Sequence, residues 1–527
     1  MHTTTHVTTN RVAGVAIIAG RCLLLACLLF LMGCAVSHDT TKRSELYEMR
    51  GVGPLRALTI DSRLYTFEKF SFDDSTLHGS GTLRRDGVTR PFDGSVRFDS
   101  IAFLEREESS FLQGAWVVPM AVFVAGGLLT LSSPPIFSIH YAKSSSCPFV
   151  YSWDGVDYTL DTEVFGTSVS KAMEARTYSI LPSLVTDGGV ARIRVSNERP
   201  ETHMINDVKL YAADMERYHG CALDTENRLW PLPAALAPVA ARDHSGRDVL
   251  ADVARPDKHY WVSDLAGGTV DKGFRDMLEM EFAIAPEARE ATLVVDAINT
   301  ELIFQVYRSI GGILGDATLD FYQALETDED LQRCVNDWLT DCGLAVEVFD
   351  GSSWTHIDRI LPEANVAPFR RALRVALPEG TDGMLRVRLS TLTDVWRIDA
   401  VTLDASPVET LQMHELPMTA ADGSRGNDMR QLLADADSRY AVLLPPEHVD
   451  IAFDASQTAS MRAPVYIVSA QGYLYEWFPT QEDGRADGLT ASLHGRERIA
   501  LLKSVLEHKE AFLPPIYREL TKTRNRE

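Results

Sequence analysis

Hydrophobic positions in this chain fall mostly in short runs that alternate with polar ones, and Asp-Gly pairs punctuate them. Period-two alternation bounded by turn residues predicts strands. Between residues 49 and 108 the runs Leu64–Phe72, 77–83, 94–98 and 101–105 are separated by Asp73-Asp74, Asp86-Gly87 and Asp93-Gly94. They predict a small antiparallel domain, a barrel if it closes. From Phe149 to Trp153 and again from Tyr158 to Asp161 strand patterns flank Asp154-Gly155, whose glycine suits the positive φ of a tight hairpin. Further strands are expected at 190–195, 207–211 and 291–295, within a β-rich unit spanning 143–298.

The spacing then becomes helical. Leu302, Val306, Ile310 and Ile313 share a stripe within 299–325, and Thr327 can cap a second helix whose first turn holds Asp328, Glu329 and Asp330. Gly343 is a natural stop, which delimits a helical pair at 299–343. Strands return at Leu344–Phe349, 373–377, 384–389, 395–403, 442–444, 450–453 and 465–477, with turns at Asp350-Gly351 and Asp382-Gly383. This unit, 344–480, reads as a β-sandwich with weak similarity to jelly-roll modules that bind sugars in other proteins. Residues 481–527 carry a helical pattern at 496–512, stopped by Pro514-Pro515, and a basic tail. The fold class expected is mainly β and multidomain, and no internal repeat is evident.

Two segments depart from this pattern. From 109 to 142 no Lys, Arg, Asp or Glu occurs, and 115–131 is almost wholly apolar. That length lies at the lower limit for a membrane-crossing helix, and Pro119, Gly126 and Gly127 weaken a soluble one, so burial and membrane contact both stay open. At the other departure, residues 1–33, Arg11 and Arg21 precede an apolar run at 22–32, the layout of a secretory signal. Leu31-Met32-Gly33-Cys34 resembles the lipobox of bacterial lipoproteins. The resemblance implies cleavage before Cys34, lipidation of its thiol and amine, a tether at 34–48 and persistent membrane attachment. Ala35 in place of aspartate favours the outer membrane in a Gram-negative host.

Charge narrows the partners. The chain carries 51 Lys and Arg against 74 Asp and Glu; cleavage before Cys34 removes two arginines and leaves 49 basic side chains. So acidic a chain is a poor match for nucleic acid, which leaves the membrane, envelope proteins and glycans as expected partners. Four cysteines lie beyond the lipid site, Cys147, Cys221, Cys334 and Cys342, enough for one bridge. Cys334 and Cys342 stand more than about 10 Å apart if one helix carries both, beyond disulfide reach.

Known catalytic motifs are missing from the sequence. There is no His-Glu-x-x-His, no phosphate-cradling loop and no dinucleotide fingerprint, and His78-Gly79-Ser80-Gly81 lacks the spacing of a nucleophile elbow and reads as a turn. No cofactor or metal is expected: the acidic clusters at 327–330 and 435–437 read as a helix start and a loop. The carboxylate pairs Glu279/Glu281, Asp394/Asp399 and Glu198/Glu201 read as surface acids rather than a glycosidase pair. Tyr473, Tyr475 and Trp477 share one strand face, which makes them either core or a sugar-stacking row. Trp396 and Ile398 read as core, with Arg397 and Asp399 paired on the other face.

The hairpin Cys147-Pro148-Phe149-Val150-Tyr151-Ser152-Trp153-Asp154-Gly155 is similar to the start of a domain in a family of exported bacterial proteins. The similarity extends through Ala241-Arg242-Asp243, Gly246-Arg247-Asp248, Trp396-Arg397-Ile398-Asp399 and Gly472-Tyr473-Leu474-Tyr475-Glu476-Trp477, about two thirds of the chain, and brings no activity with it. The expected function is a lipid-anchored envelope scaffold; a glycan-binding adhesin, a carbohydrate hydrolase and a transmembrane signalling protein are the alternatives.

Overall fold

The computed structural model describes most of residues 36–109 and 148–476, leaving out 41–54, 264–274, 301–317 and shorter stretches. The apolar segment at 109–142 beyond Ser109, the signal-like segment at 1–33 and the helix expected at 496–512 lie outside the described residues. The first sheet holds β1 (Val36–Thr40), β2 (Leu55–Thr59), β3 (Leu64–Phe72), β4 (Thr76–Arg85), β5 (Val88–Arg97) and β6 (Ile101–Ser109), all antiparallel. Its order is β1-β6-β2-β3-β4-β5, with different strands at its two edges, so it is an open sheet rather than the closed barrel allowed by the sequence. Two expected turns are strand instead. Asp93-Gly94 runs through β5, and His78-Gly79-Ser80-Gly81 lies inside β4. There β3 bulges between Phe67 and Lys69, and a Cβ at Gly79 would collide with the Lys69 carbonyl, so glycine serves close approach rather than a turn.

The body contains β7 (Phe149–Trp153), β8 (Tyr158–Glu163), β9 (Ala175–Ile180), β10 (Val190–Ser196) and β11 (Glu201–Asp214). A short hairpin follows, β12 (Cys221–Asp224) and β13 (Leu229–Pro231), then β14 (Ala240–Asp243), helix α1 (Leu250–Val253), β15 (Trp261–Val262), β16 (Arg275–Ala283) and β17 (Glu290–Asn299). Helices α2 (Thr318–Leu325) and α3 (Glu329–Cys342) lead into β18 (Leu344–Phe349), β19 (Trp354–Ile360), β20 (Phe369–Ala376), β21 (Met384–Leu392) and β22 (Trp396–Asp404). The chain ends its described part with β23 (His414–Leu416), β24 (Met418–Gly423), α4 (Arg430–Leu433), β25 (Ala441–Leu443), β26 (His448–Asp454) and β27 (Pro464–Glu476).

These strands build two sandwiches. The first packs β24-β26-β10-β7-β8 on β23-β11-β27-β9, with β25 beside β11; the second packs β14-β16-β21-β18-β19 on β13-β12-β20-β17-β22-β15. Alternation places the cores between the sheets. Leu278, Met280 and Phe282 of β16 and Leu385, Val387 and Leu389 of β21 point inward against Leu293 and Val295 of β17, and Ile193, Val195, Val449 and Ile451 do the same against Val208 and Val468.

The two sandwiches share one plan. Replacing β24, β26, β10, β7 and β8 by β14, β16, β21, β18 and β19 reproduces the first pairing order, and β25-β11-β27-β9 maps onto β15-β22-β17-β20. The chain is therefore an internal repeat, β7–β17 and β18–β27, which corrects the expectation of none. Local detail agrees. Residues 241–263 and 421–443 align without a gap; Gly246 and Gly426 take φ +83° and +80°, and the amides of Val249 and Met429 donate to the carbonyls of Ala241 and Ala421. Asp154-Gly155 and Asp350-Gly351 turn matching hairpins, each aspartate accepting two backbone amides at 2.8 Å.

Each sandwich takes half of each repeat. β7–β11 close with β24–β27, while β14–β17 close with β18–β22, so the second sandwich is inserted between β11 and β23 of the first. The boundary between 143–298 and 344–480 thus separates the repeats, and the sheets cross it. The helical pair bridges the repeats. Asp328, not Thr327, caps α3, accepting from the amides of Asp330 and Leu331 at 3.0 and 3.1 Å. The helix ends where the chain turns into β18 at Gly343, and the Trp396 indole donates to the Cys342 carbonyl at 2.8 Å.

Because residues 221–404 hold a whole sandwich and residues 148–300 hold two halves, the first segment expressed alone should unfold cooperatively in urea, with the second lacking a cooperative transition. A cooperative 148–300 fragment would contradict the shared-sheet assignment.

Candidate functional site

The seam between the sandwiches encloses a cleft of about 570 Å³. β8, β9 and β27 wall it from the first sandwich, β17 and β20 from the second, and the connection leading into β12 forms a rim with Met215 and Tyr218. Such a volume suits a small-molecule site, and domain junctions are where these sites gather.

Its polar groups are set by backbone irregularities. β7 and β8 slip register between Val150/Thr162 and Tyr151/Leu160, which makes Asp161 a bulge residue. Both its carboxylate oxygens accept from the Ser183 amide, at 3.2 and 3.1 Å, and burial pushes its pKa above 3.8 despite that bond. Across the cleft Arg370 forks onto Asp296 through Nε and Nη2, at 2.7 and 3.1 Å, the cross-strand pair of β20 and β17. Arg371 grips Glu363 and donates from Nη2 to the Tyr178 carbonyl at 2.8 Å, tying the second sandwich to β9 of the first. Cys221 lies in the same wall, where burial pushes its thiol up to about 11 and so disfavours the thiolate at neutral pH.

The aromatic residues singled out in the sequence lie elsewhere. Tyr473 and Tyr475 are 0% and 2% exposed, so neither presents a face to a ligand; Trp477 lies outside the described residues. The core alternative holds for both. Their rings meet edge to face at 5.5 Å, Tyr473 packs on Tyr440 at 5.3 Å, and Tyr475 packs on Tyr322 of α2 at 4.8 Å. Glu326, just past α2, accepts from the Ala172 amide and lies 3.5 Å from the Tyr475 hydroxyl; burial raises its pKa. Together these contacts fasten the helical pair to β27.

The other sequence candidates have structural work. Trp396 and Ile398 are fully buried, as expected. Asp399 accepts the amides of Asp257 and Lys258. Glu279 faces Arg386 and Arg388, Glu201 bonds His203 at 2.7 Å in the core, and Glu198 accepts from the Tyr151 hydroxyl. Cys221 and Cys342 are buried thiols rather than half-cystines, whereas Cys147 and the Cys334 side chain lie outside the description. α3 carries positions 334 and 342 on one helix, as the distance argument requires. No helix of the described residues is long and apolar enough to cross a membrane.

No family model matches the chain, and no curated protein matches it. Among solved structures, a beta-porphyranase of glycoside hydrolase family 86 from the human gut bacterium Bacteroides plebeius aligns over 45% of this chain and 37% of its own, at 9% identity and a TM-score of 0.15. A GH31 alpha-xylosidase from Xanthomonas citri aligns over 79% and 38%, at 10% identity and a TM-score of 0.14. The chain thus spans less than two fifths of either protein's length, and similarity this slight carries no argument.

Two outcomes follow. The Tyr473 hydroxyl is buried without a hydrogen-bond partner among the described residues, so Tyr473→Phe should leave the thermal midpoint unchanged or higher, while Tyr475→Ala should cost about 3–5 kcal/mol in urea unfolding. A large loss from Tyr473→Phe would contradict the packing described. For Asp161, a pKa raised in the fold means that its contribution is fully present below the ordinary carboxylate range and is lost as pH rises through the folded value. Asp161→Asn cannot ionise, so its melting temperature relative to wild type should climb as pH rises from the acid side; a pH-independent difference would refute the assignment.

Proposed function

We propose that this chain is a lipid-tethered protein of the bacterial cell envelope, at the outer membrane in a Gram-negative host, whose body is a binding scaffold with its ligand site in the cleft between the sandwiches. The cleft carries the reading: about 570 Å³ at a junction of two sandwiches, with a buried carboxylate facing an Arg–Asp pair. The signal-like segment and Leu31-Met32-Gly33-Cys34 support the tether. The acidic balance of the chain favours partners other than nucleic acid.

The tether is tested by growing cells with an alkyne analogue of palmitate. Wild type should be labelled and Cys34→Ser should not; an unlabelled wild type defeats the tether. The cleft is tested with small molecules extracted from the host envelope. Gly220 lies on the cleft wall, where a new Cβ would come no nearer than 3.9 Å to Leu232, so Gly220→Trp can fill the site without a clash at Cβ. The extract should raise the melting temperature of wild type by about 2 °C or more and leave Gly220→Trp unmoved. Equal shifts, or none in wild type, would remove the cleft as the site.

A further inference from the structure

We infer that the ligand of the inter-sandwich cleft is a neutral saccharide, held by Asp161 and Arg370 through its hydroxyls and by Tyr218 and Phe369 through its apolar ring faces. The inference rests on the reading of the cleft as a binding site.

Apart from Asp161, the charges of the walls cancel in pairs. Asp296 is matched by Arg370 and Glu363 by Arg371, each as a two-bond fork. An anionic ligand would have to displace Asp296 or Glu363 from its arginine and leave that carboxylate desolvated, a cost of the kind that makes broken buried pairs unfavourable, and a cationic one drawn to Asp161 would share the cleft with Arg370 and Arg371. A neutral ligand displaces nothing. Hydrogen-bonding capacity is nevertheless left over: Arg370 commits Nε and Nη2 to Asp296 and keeps Nη1, and Asp161 receives the Ser183 amide beside the hydroxyls of Ser152 and Ser183, short of the roughly four contacts a carboxylate can accept. A donor on one wall and an acceptor on the other match hydroxyl groups, each of which both donates and accepts.

Most of the rest of the lining is apolar. Tyr218 is half-buried, Phe369 is fixed edge to face on Trp396, and Pro182 and Pro464 complete the walls. Flat apolar surfaces beside a few directed polar groups suit a pyranose, whose ring faces carry C–H bonds and whose rim carries hydroxyls.

The repeat supplies an internal control. The bulge equivalent to Asp161 lies between the β18/β19 pairs Val346/Asp358 and Glu347/His356, and its residue is Ile357, packed against the core. Asp296 is likewise matched by Gln471 at the corresponding place on β27, while the arginine opposite is kept, as Arg176. The fold therefore accommodates an apolar residue at the bulge, and the carboxylates stand on the two walls of the cleft, Asp161 on the first sandwich and Asp296 on the second.

The test is calorimetric titration of the full-length protein, in detergent, with the tetrasaccharides of cellulose, starch, xylan and chitin and, as charged counterparts, tetramers of galacturonate and of glucosamine. At least one neutral tetramer should bind, Asp161→Asn should weaken it by about tenfold, and Tyr218→Ala should weaken it as well, with melting temperatures showing that both variants are folded. Absence of binding by every neutral tetramer overturns the inference, and so does equal binding of a charged one. Binding that both folded variants retain at full strength also overturns it. If the envelope extract stabilises wild type but not Gly220→Trp while all neutral tetramers fail, the cleft remains the site and the saccharide assignment alone falls.

Discussion

The antiparallel pairing of Glu201–Asp214 with Pro464–Glu476 is the interaction on which the body depends. It joins strands about 250 residues apart, and closing so long a loop costs about 5 kcal/mol by chain entropy alone. The inserted sandwich removes much of that cost. Tyr211 and Glu415 are register partners on either side of it, so once residues 221–404 have folded, their ends already bring β11 and the final strands together. The order of the chain and the order of closure are then compatible: local strands of the insert first, the long-range pair afterwards.

The same arrangement creates the cleft. A single sandwich of this plan has no reason to hold a site between its sheets, which are filled by Val, Ile and Leu. Two of them linked through β20 and β9 leave a seam, and Arg371 bridges it to the Tyr178 carbonyl. Where the repeats agree, residues serve the fold: Gly246 and Gly426 turn, Asp257 and Asp437 lend their amides to Asp399 and Asn206, and both acceptors occupy bulges in their strands. Where they differ, as at Asp161 and Ile357, the seam explains the difference.

Much of the secondary structure was legible because alternation and Asp-Gly turns are local. The hairpin at Asp154-Gly155 and strand Leu344–Phe349 emerge as the pattern predicts. Glycines in β4 misled, since a glycine required by a neighbouring carbonyl looks the same in sequence as one required by a turn. Asp328 and Thr327 are both capping residues by type, and only the geometry chooses between them. The repeat was hidden because its spacing is not constant, 196 residues between Asp154 and Asp350 but 180 between Gly246 and Gly426. The 23-residue module at 241–263 keeps seven identities with 421–443, and that is the signal a gapped self-comparison could have found. Asp161, Tyr218, Asp296 and Arg370 come together only through the exchange of halves, so no local motif announces them.

The exchange itself is tested most directly by native-state hydrogen exchange followed by mass spectrometry in rising urea. Peptides from β10 and β11 should lose protection together with those from β26 and β27, while peptides from β16 and β17 lose it together with β21 and β22. Grouping of β10 and β11 with β16 and β17 instead, one repeat opening as a unit, would contradict the account.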